Sequence, residues 1–90
     1  MATTLTRTLT VAPAGTRLAF PDQYSNRCEI EAGMTNAGTV VIYDRRTNAV
    51  AKQLTSGDTA VLVQHGNLAE IYEYQGDQLN DALHCTIIVT

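Results

Sequence analysis

The side chains able to do acid–base, nucleophilic or metal chemistry are few. Cys28 and Cys85 are the only cysteines, and His65 and His84 the only histidines. Each cysteine falls on the apolar side of a strand-like run, next to Ile30 or Ile87 in the alternation. Two readings stay open for them: a pair of buried small hydrophobes, or a disulfide if their strands are neighbours. Zinc sites need ligands closely spaced in the chain, and neither cysteine has a close partner. His65 stands in a turn with Gly66 and Asn67. His84 precedes Cys85, and successive residues of a strand face opposite ways, which disfavours a dyad between them. A nucleophilic dyad also needs an orienting third group, and no such group is recognisable around His65.

The acids are no more suggestive. Glu29 and Glu31 share one face of a strand, with Glu70, Asp77 and Asp81 elsewhere in the chain. Paired carboxylates can cleave glycosidic bonds, but acids alternating along a strand are ordinarily solvated, or paired with a neighbour such as Arg27 or Arg17 for little gain. The glycines are isolated turn residues and form no phosphate-binding fingerprint. Tyr72 and Tyr74, two apart on one strand face, fit a core, a subunit interface or a stacking platform for a glycan. No catalytic, cofactor-binding or metal-ligating residue is assigned, and a non-enzymatic protein is expected.

The elements that would position these residues read as strands. Apolar residues alternate with period two along the chain, and a helical period hardly occurs. Leu5, Leu9 and Val11 alternate with Thr6, Thr8 and Thr10, which predicts a strand over Thr4–Ala12, ended by Pro13 and Gly15. Thr16–Phe20 is a short second strand, closed by Pro21. In Arg27–Met34, Cys28, Ile30, Ala32 and Met34 face one way and Arg27, Glu29 and Glu31 the other, as in a half-buried antiparallel sheet. Thr39–Tyr43 and Ala49–Leu54 flank an Asp44–Asn48 turn and read as a hairpin. Thr59–Gln64, Leu68–Tyr74 and Ala82–Thr90 complete the set, with a polar loop over Gln75–Asp81. The one segment with any helical character is Gly76–Leu83. About eight strands at intervals of roughly ten residues predict an all-β, two-sheet antiparallel sandwich, jelly-roll-like or immunoglobulin-like.

Ninety residues make one domain, read as residues 10–90, with residues 1–9 either an N-terminal arm or a first edge strand. A chain this short buries only about 60% of its unfolded surface, so association is an expected source of extra stability. Leu5, Leu9, Tyr72 and Tyr74 are the candidate interface residues. The net charge is −3, and the six basic residues are scattered, without the basic stripe of a nucleic-acid-binding domain. No apolar run reaches the ~18 residues of a membrane span. The first residues lack the basic-then-apolar order of a signal peptide, so synthesis in a cytoplasm is expected. Thirteen threonines among the 90 residues favour strands over helices.

One resemblance covers most of the chain, from about Thr10 to Val89. Its parts are Thr10-Val11-Ala12-Pro13-Ala14, then Arg27-Cys28-Glu29-Ile30, then Asn36-Ala37-Gly38-Thr39-Val40-Val41-Ile42. They continue with Leu54-Thr55-Ser56-Gly57-Asp58, with Leu68-Ala69-Glu70-Ile71-Tyr72, and with a closing apolar strand. This order resembles small β-sandwich virion proteins of tailed bacteriophages, of the capsid decoration (cement) or head–neck kind. The resemblance implies a structural protein on the capsid surface that binds the major capsid protein as a homo-oligomer, often a trimer. It implies no cofactor, and a virion location after assembly in the host cytoplasm. A phage neck, tail or fibre-base protein, and a glycan-binding sandwich module, are the alternatives.

Overall fold

A computed structural model describes residues 2–11, 14–63 and 65–90. Ten strands and one short helix follow in the order β1 (Thr3–Thr10), β2 (Leu18–Ala19), β3 (Tyr24–Ser25), β4 (Arg27–Ala32), β5 (Val40–Asp44), β6 (Val50–Leu54), β7 (Thr59–Leu62), β8 (Gly66–Asn67), α1 (Leu68–Ile71), β9 (Tyr72–Gly76) and β10 (Ala82–Val89). The chain is all-β. One four-stranded sheet has the order β1-β10-β4-β7, the other β2-β9-β5-β6, and β3 and β8 form a small clip. Every pairing is antiparallel.

The topology decides between the two sandwich types. Apart from the clip, β1 pairs β10, β2 pairs β9, β4 pairs β7 and β5 pairs β6. The chain is therefore one long hairpin ribbon, with β5 and β6 at its tip, rolled so that β10 meets β4 and β9 meets β5. That is a jelly roll, and the immunoglobulin-like alternative is set aside.

The core follows the alternation. Cys28, Ile30 and Ala32 of β4 lie inside with Leu83, Cys85 and Ile87 of β10, and Val40, Ile42, Tyr72 and Tyr74 line the facing sheet. Phe20 sits between the tyrosines, its ring centroid 5.7 Å from Tyr72 and 5.9 Å from Tyr74. Close approach is needed where β9 ends. A Cβ on Gly76 would run into the side chain of Val11, so the buried Val11 packs there only because residue 76 has no side chain.

Three local expectations are corrected. Leu68–Ile71 is a helical turn rather than the start of a strand: Asn67 caps it by accepting from the Ala69 N–H at 2.9 Å, and Leu68 and Ile71 bury the same side. Gly76–Leu83 is not helical, because Gly76 ends β9 and β10 begins at Ala82. Met34 does not continue the inward face of β4. The strand ends at Ala32, the Asn36 N–H bonds to the Gly33 carbonyl in a turn, and Met34 is left 75% exposed. Elsewhere the predicted strands match within a residue or two, except that Gly66 and Asn67, expected in a turn with His65, form β8 against the unpredicted β3; Ala12, Pro13 and Gln64, at the ends of two predicted strands, lie outside the described residues.

Candidate functional site: an open sheet edge

The thiols are core residues. Cys28 faces Ile87 and Cys85 faces Ile30 across the β4–β10 ladder, so the cysteines are diagonal neighbours, two places out of register. Diagonal neighbours have a Cα spacing of about 7–8 Å, wider than a disulfide ordinarily spans, so the two thiols meet as a hydrogen-bonded pair. Both cysteines are free, and the disulfide reading is withdrawn. The hydrogen bond with Cys28, together with burial, holds the Cys85 thiol far above its ordinary range, where it is inert as a nucleophile.

The histidines stay apart from the thiols. His84 faces outward on β10, opposite Glu31, with the Thr8 hydroxyl 3.2 Å from Nδ1. His65 accepts at Nδ1 from the Asn26 amide at 2.9 Å, and Asn26 also takes the Thr90 N–H at 2.7 Å. His65 thus belongs to the clasp that ties down the end of β10. Glu29 and Glu31 border a shallow depression of about 570 Å³ outside the first sheet, with Thr59, His84 and Thr86. Glu29 pairs with Arg27 at 3.1 Å, both half exposed. Asp77 and Asp81 do not join them. Asp81 is buried and accepts from the Ala37 and Gly38 N–H groups at 2.9 and 2.8 Å, and Asp77 accepts from the Thr39 N–H at 3.0 Å. They hold one loop to another. Among the described residues no three His, Cys, Asp or Glu side chains are grouped to hold a metal ion.

Tyr72 and Tyr74 are each 5% exposed. Burial raises both phenol pKa values, and the Tyr74 hydroxyl donates to the Thr10 carbonyl at 3.0 Å. They are core residues, neither an interface nor a glycan platform. Leu5 and Leu9 are partly buried and pack on the core from β1. Of the four interface candidates these two alone lie beside an available surface, and that surface is the edge of their strand.

β1 is eight residues long and, among the described residues, pairs only with β10. Its other edge is open. Thr4, Thr6, Thr8 and Thr10 face outward in line with Ile88, Thr86, His84 and Ala82, while Leu5, Arg7 and Leu9 share the inward phase with Ile87, Cys85 and Leu83. Arg7 is exposed although its register partner Cys85 is buried. Its guanidinium turns back along the strand and donates from Nη1 to the Thr6 carbonyl at 2.8 Å. Sequence reasoning passed over Arg7. The available signal was a charge at the inward phase of a strand, one of the devices that guard open edges.

At the opposite flank are β6 and β7, the other outer strands of the two sheets. Val50, Val61 and Val63 are exposed there, at 49%, 37% and 64%. Comparison with known proteins finds no matching family model, no similar curated protein and no similar solved structure.

Proposed function

We propose that this is a non-enzymatic virion structural protein that decorates a tailed-phage capsid, binding the major capsid protein and stabilising the shell. The observation that carries the proposal is the open eight-residue edge of β1. A long edge presents unpaired N–H and C=O groups, which a strand from another chain can complete. The jelly roll is a frequent architecture of capsid proteins, and the order of turns and strands resembles that of the decoration proteins. Self-association into a trimer would use the other flank, where Val61 and Val63 stand two apart beside β6. Cyclic oligomers suit the symmetric positions of a shell lattice.

The test is co-sedimentation of the purified chain with empty, expanded shells assembled from the major capsid protein of the same genome. Saturable binding at repeating lattice positions, seen by electron microscopy, supports the proposal, and a trimer in native mass spectrometry supports the oligomer. A chain that stays monomeric and leaves the shells bare overturns it. Density confined to the unique vertex would instead support the neck or tail assignment.

A further inference from the structure

We infer that the open edge of β1 takes an extended strand of a different protein, one carrying an acidic residue flanked at two-residue steps by aliphatic residues, and that Arg7 selects it. The inference deepens the docking reading above and rests on it.

The segment from Thr4 to Thr10 reads Thr-Leu-Thr-Arg-Thr-Leu-Thr, the same in both directions about Arg7. Such a strand invites its own copy. Two β1 edges meeting antiparallel about a two-fold axis at Arg7 would set Leu5 against Leu9 of the second copy, and threonine against threonine throughout. The same register puts one Arg7 opposite the other, and directly opposed like charges destabilise a pair of strands. A slip by one residue would turn the leucines to the wrong face. A slip by two would lose both leucine pairs and set each Arg7 against a leucine. The self-pair is blocked at its centre, a repulsive element of the kind that confers specificity.

An acid in place of the second arginine turns the obstacle into an attraction. Among the described residues Arg7 has no ion-pair partner, and its guanidinium donates to the carbonyl of the preceding residue. The guanidinium is exposed and at mid-strand, between two half-buried leucines. A strand that laid an aliphatic residue beside Leu5, a carboxylate beside Arg7 and an aliphatic residue beside Leu9 would extend both the sheet and the apolar layer. It would also form an Arg–carboxylate pair, the strongest of the ordinary charge-assisted hydrogen bonds.

The test uses the intact protein and two labelled peptides of residues 3–10, one native and one with Arg7→Glu, followed by fluorescence anisotropy. The acidic peptide should bind at least about tenfold more tightly, a difference of about 1.4 kcal/mol, and the protein variant Arg7→Glu should reverse the order. A protein variant Arg7→Leu should self-associate in sedimentation, with new amide protection along β1. Equal binding of both peptides, or none by either, overturns the inference using wild-type protein alone, so misfolding of a variant cannot protect it. Peptide discrimination without shell binding would remove the virion reading and keep the edge. Shell binding without discrimination would do the reverse.

Discussion

At the scale of single residues, the buried Asp81 does more than any of the side chains first considered for chemistry. Its two oxygens take the N–H groups of Ala37 and Gly38, while the Asn36 side chain exchanges bonds of 2.8 Å with the Ala82 carbonyl and N–H. The loop after β4 is thereby fixed to the start of β10. Asp81→Ala leaves two backbone donors without their acceptor. It should cost about 2–4 kcal/mol, given about 1.5–3 for a hydrogen bond to a charged group, and Asp81→Asn, which keeps one acceptor, distinctly less. Urea unfolding of the two variants measures the difference. If Asp81→Ala unfolds at the wild-type midpoint, the clasp is not a source of stability.

Two carboxylates, Asp58 exposed and Asp44 partly so, contribute to the acid side of the stability profile. Hydrogen bonds from the Thr55 N–H and hydroxyl hold Asp58 below its ordinary value of 3.8, and Arg46 does the same for Asp44. A carboxyl whose folded pKa is depressed adds stability above the unfolded value, and that stability is lost as pH falls through the folded value. Melting temperature should therefore hold steady above the ordinary carboxyl range and drop below it. Asp58→Asn should lower the plateau and soften the drop. A profile for Asp58→Asn parallel to wild type would show that these bonds do not couple to folding.

At the scale of elements, alternation located most strands and failed where its phase is reset. Cys28, Ile30 and Ala32 point inward as the pattern requires, and so do Leu83, Cys85 and Ile87. Between β8 and β9 the chain turns once as a helix, so Ile71 and Tyr72 are both buried although adjacent. One turn is too short to show a 3.6-residue period. The legible signal was Asn67, a favoured cap residue placed just before Leu68. Asn67→Ala should cost about 1 kcal/mol, read as a shift in denaturant midpoint with unchanged slope, and an unshifted midpoint would mean that packing of Leu68 and Ile71 alone sets the turn. The burial of Tyr72 and Tyr74 was open for a different reason: a strand face is apolar whether it meets a core or a partner, and only the other sheet, with Phe20, decides. Arg7 is hard to single out because Leu5, Leu9 and Val11 carry the alternation by themselves, and one charge in their phase leaves the period unchanged.

At the scale of the whole molecule, the rolled ribbon sets which strands are secure. Among the described residues β10 and β4 are paired on both sides, whereas β1 is held by β10 alone. The β1–β10 pair also closes the longest loop of the ribbon, from Thr10 to Ala82, and long closures are paid for in chain entropy before their contacts form. β1 should therefore be the least protected of the long strands. Amide hydrogen exchange makes this specific. In an antiparallel edge strand alternate N–H groups point into the ladder and out of it. Every second amide from Thr3 to Thr10 should exchange rapidly, while the amides of β4 and β10 exchange only near the global unfolding free energy. Addition of the residue 3–10 peptide carrying Arg7→Glu should slow the fast set and leave the slow set unchanged. If all β1 amides are already protected in the protein alone, and protection rises with concentration, the edge is closed by a second copy and the repulsion assigned to Arg7 does not operate.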